Sequence, residues 1–206
     1  MKFYERLFAS QYDAFMTNLE SSTFHPIRKA LIADLKGDIL ELGSGTGANF
    51  EFYNEKANVI ALEPSTFMLE KSKAKLPKSR QIAIHPIGVN DEQADSMFCE
   101  NSLDYIICTL VLCTIPDQAR ALANFKKWLR PTGKLVVLEH IHAQNKPARV
   151  LYNLVNPVWK VVGSGCNLNR DTDRSIKEAG FKLESEHYFR KSINFYQAVF
   201  GVPGKV

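Results

Sequence analysis

Short, nearly unbroken apolar runs recur along the chain at Asp38–Leu42, Ala57–Glu63, Gln81–Ile87, Ser102–Leu110 and Lys134–Ile141. Runs of this length, apolar on both faces, predict strands of a buried parallel sheet. Helical segments separate them. Asn49 to Tyr53 is expected to continue the first sheet helix. Ser65 or Thr66 caps a helix through Met68, Leu69 and Ala74 to Leu76, stopped by Pro77. A helix near Asp117 runs through Ala121, Leu122, Phe125 and Leu129, and Arg130-Pro131-Thr132-Gly133 is the turn into the fifth strand. Strands alternating with helices five times predict a parallel sheet with crossovers on both faces.

The pattern changes at both ends. Residues 2–35 predict two helices, one with Phe3, Leu7, Phe8, Phe15 and Leu19 near helical spacing, the other starting near Pro26. They can fold over the first strand as a lid or simply pack against the sheet. Residues 142–167 break the rhythm. Arg149 to Val162 is amphipathic and Gly163-Ser164-Gly165-Cys166-Asn167 turns the chain. A helix from Asp171 or Thr172 to Ala179-Gly180 and two strands, Phe181–Tyr188 and Ser192–Phe200, close the chain. The reading is an α/β fold with a mostly parallel seven-stranded sheet, helices on both faces, N-terminal helices and a cap after the fifth strand. It is expected as one domain over 1–206, with a lid at 1–36, a core at 37–141, a cap at 142–167 and a closing part at 168–206.

Composition narrows the class. The chain has 206 residues, 45% of them hydrophobic and 23% charged, enough for one core and a cap. The net charge of +4 is spread out and leaves no nucleic-acid footprint. Cys99, Cys108, Cys113 and Cys166 contain no Cys-x-x-Cys pair, and no histidine lies at zinc-ligand spacing from them. They predict reduced thiols, a cytoplasmic setting and no metal. Met1 to Arg6 lacks a signal-peptide core. The longest uncharged apolar stretch, Tyr105 to Pro116, is short of the ~20 residues a bilayer span needs.

The candidate chemistry centres on Glu41-Leu42-Gly43-Ser44-Gly45-Thr46-Gly47-Ala48-Asn49. Three glycines after a buried strand let the backbone turn and approach a ligand closely. Gly43-x-Gly45-x-x-Ala48 also fits a dinucleotide fingerprint, with Glu63 near the ~20-residue offset of a ribose-binding acid. Glu41, two residues before Gly43, suits a cationic sulfonium better than a pyrophosphate, and no second mononucleotide half follows. Ligands of open α/β sheets bind beyond the carboxyl ends of the strands. That rule sets Gly43, Glu63, Asp91–Asp95, Thr109–Val111 and Glu139-His140 along one rim.

Together, Glu41-x-Gly43-x-Gly45-x-Gly47, Glu63 and Leu129-Arg130-Pro131-Thr132-Gly133-Lys134 resemble the class I S-adenosylmethionine-dependent methyltransferases. A closer resemblance is carried by Gly45-Thr46-Gly47-Ala48-Asn49-Phe50, Cys108-Thr109-Leu110-Val111-Leu112-Cys113, Leu138-Glu139-His140 and Gly165-Cys166-Asn167-Leu168-x-Arg170. It is to the methyltransferase-like protein 7 group, the alkyl thiol methyltransferases. That group's N-terminal membrane anchor is not matched here, and the segment Val89–Asn101 is longer than its pattern. Tyr12-Asp13 is also similar to bacterial phospholipid N-methyltransferases and quinone C-methyltransferases.

The resemblance implies a Rossmann-like methyltransferase fold with S-adenosylmethionine as cofactor. Glu41, Gly43, Ser44, Gly45, Gly47 and Asn49 would take its amino-acid end. Glu63 would accept from the ribose hydroxyls, with Pro64 beside it, and Met68 would lie against the adenine. Glu92, Gln93 or Asp95 would meet the adenine edge, and Thr109 and Leu110 would line the methionine moiety. A thiol acceptor titrates near ~8.5 and needs little activation, whereas an amine or phenol needs a base. His140 is the candidate base, because an unperturbed imidazole titrates near ~6.5; its alternative is a hydrogen-bonded packing residue. Cys166 is expected to be structural.

The implied activity is methyl transfer to a small or lipid-like acceptor, a thiol first. Phospholipid N-methylation and quinone C-methylation are the alternatives, and a peripheral membrane contact is left open. A nicotinamide-dependent oxidoreductase and a non-catalytic cofactor-binding module are the readings from other classes. Nucleic acid is not expected as a partner: the Asn/Asp-Pro-Pro-aromatic tetrad of adenine-modifying enzymes is replaced by Thr109-Leu110-Val111-Leu112.

Overall fold

Gly37–Leu42 (β1), Ala57–Leu62 (β2) and Gln81–His85 (β3) pair in parallel, Ile39 opposite Val59 and Val59 opposite Ile82. The computed structural model describes residues 20–163, 165–191 and 193–203, and these divide between Gly88 and Val89 into two compact units. The helix expected over Phe3 to Leu19 lies outside the described residues.

In the first unit the strand order is β3-β2-β1. Ile39, Leu40, Leu42, Val59, Ala61 and Leu62 are buried, as the unbroken apolar runs require, while β3 at the sheet margin is only partly covered. His25–Ile32 (α1) has Pro26 in its first turn and buries Arg28 and Ile32. A π-helical turn, Glu20–Phe24, precedes it. Thr66–Ala74 (α2) is capped by Ser65, whose Oγ accepts from Met68 N at 3.4 Å.

The helix expected over Asn49–Tyr53 is instead a single 3₁₀ turn, Phe50–Phe52. Phe50, Phe52 and Tyr53 are all buried, and side chains at i, i+2 and i+3 do not share one helical face. Tyr53 turns extended, with ψ 137°, and its hydroxyl reaches Glu41.

In the second unit Leu103–Thr109 (β4) runs parallel to Leu129–Ile141 (β5). Lys182–Arg190 (β6) and Asn194–Gly201 (β7) add antiparallel in the order β4-β5-β7-β6. The polar segment after Gly88 contains a short helix, Glu92–Met97 (α3). Gln118–Trp128 (α4) is capped by Asp117, whose carboxylate accepts from Arg120 N at 2.9 Å. It buries Leu122, Phe125 and Trp128.

The turn expected at Arg130–Gly133 is part of β5, as a bulge, and Leu129, expected in the helix before it, begins that strand. Leu103 faces Leu129, yet Tyr105 faces Lys134, so the residues between Leu129 and Lys134 loop out of register. A Cβ at Gly133 would meet Arg130 N, Arg130 O and Leu103 O at 3.0 Å, which explains the glycine.

Lys146–Val162 (α5) starts at an Asn145 cap and leaves Val150, Leu151, Leu154, Val155, Val158 and Val161 exposed. Among the described residues no helix is long and apolar enough to cross a membrane. Thr172–Glu178 (α6) leads into β6.

Candidate functional site

The first unit builds its site from strand ends. After β1 the chain passes Gly43, Gly45 and Gly47 with φ of 57°, 55° and 78°, a left-handed run that side chains with a Cβ resist. Glu63, just beyond β2, fastens this loop. Its Oε2 accepts from Gly45 N and its Oε1 from Ser65 N, each at 2.8 Å. Glu63 is buried, and burial raises its pKa although these two N–H groups oppose the shift.

Beneath the loop lies a second network. Asn49 Nδ2 donates to Glu41 Oε1 and the Tyr53 hydroxyl to Oε2, both at 2.9 Å. Arg28 Nη1 donates to Asn49 Oδ1 at 2.8 Å and Arg28 Nε to Glu20 at 2.7 Å. Glu41 is 1% exposed. Loss of water pushes its pKa up to about 7, against the Tyr53 and Asn49 hydrogen bonds and the Arg28 charge. Both Glu41 oxygens are thus engaged inside the unit, as is Asn49. Of the other residues expected here, Ser44 and Met68 are buried and Pro64 is exposed.

The second unit holds the remaining predicted residues. Glu92 and Gln93 are exposed on α3. Thr109 ends β4, buried, and Leu110 follows with φ 57°. That left-handed turn aims the next two N–H groups, of Val111 and Leu112, at Glu139 Oε1, at 2.9 Å each. Glu139 is fully buried, and desolvation pushes its pKa up to about 7.

His140, the predicted base, is 6% exposed on β5. Its Nε2 lies 2.9 Å from Cys166 Sγ, and its Nδ1 has no hydrogen-bond partner among the described residues. Trp159 Nε1 donates to the same sulfur at 3.3 Å, and Cys113 completes the group. Cys166 is drawn far below the ordinary thiol range, first by its hydrogen bond with Cys113 and then by His140 and Trp159, while Cys113 is pushed up. Burial lowers the His140 pKa and Cys166 raises it, with a net rise.

Cys166 is expected to be structural, and no local spacing in the sequence points to Cys113, Trp159 or Glu139. The signal lay in the segments that carried the closer resemblance, which contain both cysteines, Glu139 and Arg170. Arg170 Nη1 donates to the Leu112 and Ile115 carbonyls at 2.7 Å, and Asn167 Nδ2 to the Cys113 carbonyl at 2.9 Å.

Residues 40–137 match a family described as a methyltransferase domain. The chain is 30% identical over 167 residues to human thiol S-methyltransferase TMT1B, covering 81% of this chain and 68% of that protein. It is 32% identical over 156 residues to the rat protein of the same name, covering 73% of this chain and 64% of that one. The chain therefore spans just under two thirds of the rat relative's length. A ubiquinone/menaquinone biosynthesis C-methyltransferase of Haemophilus ducreyi is 28% identical over 213 residues, covering 94% of this chain and 81% of that one. A solved S-adenosylmethionine-dependent methyltransferase of Methanosarcina mazei superposes with TM-score 0.65 at 15% identity, covering 87% of this chain and 98% of that one. The fold is thus the Rossmann-like methyltransferase fold, with a mostly parallel sheet of seven strands. The chain belongs to the S-adenosylmethionine-dependent methyltransferases, in the family of the thiol S-methyltransferases.

Proposed function

We propose that the chain transfers the methyl group of S-adenosylmethionine to the sulfur of a small or lipid-like thiol. The observation that carries this reading is the 30% identity with human thiol S-methyltransferase TMT1B over 81% of the chain. In the first unit, the backbone of Gly43 to Gly47 and the Glu63 carboxylate take the cofactor, with Met68 on its adenine side. Glu63 is suited to the ribose because each of its oxygens keeps a further lone pair after accepting one backbone N–H. Displacement at a sulfonium methyl gains mainly from alignment of the reacting atoms, so the acceptor needs only to arrive as a thiolate. His140 then acts through Cys166 rather than as an isolated base, since its Nε2 is engaged by that sulfur. A cytoplasmic setting belongs to the same reading, supported by four free cysteines.

A quinone C-methyltransferase is the second reading, supported by the likeness to the Haemophilus ducreyi protein over 94% of the chain. The test is release of S-adenosylhomocysteine from purified protein with hydrophobic thiols, quinols and aminophospholipids as acceptors. Release with thiols alone is the expected result. Release with quinols alone transfers the assignment to the second reading, and silence with every acceptor while the cofactor binds removes both.

A further inference from the structure

Two thiols and an imidazole converge in the second unit from three separate elements. The ligand-capable atoms of Cys113, His140 and Cys166 all lie within 4.8 Å of one another. Two ligands of a tetrahedral zinc ion stand about 3.5–3.8 Å apart, given bonds of ~2.3 Å to sulfur and ~2.0 Å to nitrogen. An ion is accommodated by shifts of about one ångström.

Each member is held by contacts outside the group. The Cys113 carbonyl accepts from Asn167 N at 3.1 Å and from Asn167 Nδ2 at 2.9 Å. The turn that carries Cys113 is fixed by Glu139 on one side and Arg170 on the other. Cys166 N donates to the Gly163 carbonyl at 3.0 Å, and His140 lies in the β5 ladder opposite Phe195. The two cysteine segments are therefore tied together, and the strand fixes the third member against them. Two sulfurs and one imidazole form a soft set that selects zinc over magnesium or calcium. Three protein ligands leave the fourth tetrahedral position open. Cys113 and His140 are buried and Cys166 is half-buried, so access is from the Cys166 side.

We propose that Cys113, His140 and Cys166 bind one zinc ion, and that its open fourth position takes the sulfur of the acceptor thiol. The second half rests on the methyl-transfer reading; the first does not. Binding of R–SH forms a zinc–sulfur bond and releases the thiol proton to solvent.

The test uses the full chain, reduced and stripped by a chelator, titrated with cobalt(II) and then competed with zinc(II). One equivalent should bind with thiolate-to-cobalt charge-transfer absorption. Cys113→Ser and Cys166→Ser should each lose about 100-fold or more in affinity, beyond what outer contacts of a metal site cost. Cys99→Ser, at an exposed cysteine, should bind as the parent does, and circular dichroism of every variant separates lost ligation from lost folding. Addition of a small hydrophobic thiol should shift the cobalt bands. Binding that is absent, or equal in folded Cys113→Ser and Cys166→Ser proteins, overturns the site. Cobalt bands that ignore the thiol, with an undiminished rate of thiol methylation by the stripped protein, overturn its role. A thiol-sensitive cobalt site without S-adenosylhomocysteine release upholds the metal site and removes the methyl-transfer reading instead.

Discussion

Replacing Glu41 with Gln separates a buried carboxylic acid from a buried carboxylate. Burial lifts the Glu41 pKa from 4.5 to about 7. In the unfolded chain the group titrates near its ordinary value, so between these two pH values the folded state holds the proton that the unfolded state has released. The stability associated with the raised pKa is fully present below pH ~4.5 and is lost as pH rises through ~7. A shift of this size corresponds to about 3 kcal/mol in all, of which roughly 2.5 kcal/mol falls between pH 5 and pH 8.

Gln fits the same network. Asn49 must donate to position 41, because its own oxygen is taken by Arg28, so the Gln carbonyl faces Asn49. The Gln amino group then faces the Tyr53 hydroxyl, which can reverse its role and accept. Urea unfolding of both proteins at pH 5, 6, 7 and 8 measures the effect. The difference between them isolates Glu41, because Glu139, also raised to about 7, titrates in both and cancels. Glu41→Gln should gain roughly 2–3 kcal/mol relative to the parent between pH 5 and pH 8. A difference that stays constant over that range would mean that Arg28 keeps Glu41 ionised throughout, and the burial argument would fail.

Three further outcomes are expected. Glu63→Gln replaces one of two carboxylate acceptors by an amino group and should weaken S-adenosylmethionine binding about 10- to 100-fold by calorimetry; an unchanged dissociation constant removes Glu63 from the site. Gly47→Ala places a Cβ 2.7 Å from Phe50 Cδ2 at a φ of +78° and should cost about 1–3 kcal/mol of unfolding free energy, against an unmoved urea midpoint if the loop adapts. Leu154→Ser, at a side chain 76% exposed, should change stability by less than about 0.5 kcal/mol; a larger loss by the same measurement shows that this face is covered in solution.

Strands were readable because parallel strands need apolar residues on both faces, and Ile39 to Leu42, Val59 to Leu62 and Leu135 to Ile141 leave no other period. The place of Glu63 just beyond β2 was readable too, but its hold on Gly45 N and Ser65 N was not. Three further features were not. The Asn49–Tyr53 segment stands where the first sheet helix is expected, and it stops at one turn because Phe50, Phe52 and Tyr53 are all buried and Tyr53 reaches Glu41. The Arg130–Gly133 turn hides inside a strand because a bulge leaves the flanking pairs intact. The Cys113–His140–Cys166 group has no local spacing at all. Its members meet only because the turn after β4, the end of β5 and the loop after α5 close on one another, which a search for ligands close together in the chain cannot detect.

Two of the three buried acids hold backbone N–H groups, which bears on how such a family's motifs are read. Glu63 follows β2 and accepts one backbone N–H from the glycine loop and one from Ser65 in its own segment, while Glu139, near the end of β5, accepts two from the turn after β4. Glu41 instead accepts from two side chains. A hydrogen bond to a charged acceptor contributes about 1.5–3 kcal/mol, enough to hold a glycine-rich or left-handed loop in a conformation it would otherwise leave. Loss of ligand affinity on removing such an acid therefore has two sources, a lost ligand contact and a lost loop conformation. Glu63→Asp distinguishes them. Its shorter arm keeps the charge but gives up the reach to Gly45. If loop order dominates, Glu63→Asp falls to the level of Glu63→Gln in both cofactor affinity and urea midpoint. If the contact with ribose dominates, the two variants share the loss of affinity while only Glu63→Gln, with its amino group against a backbone N–H, unfolds early.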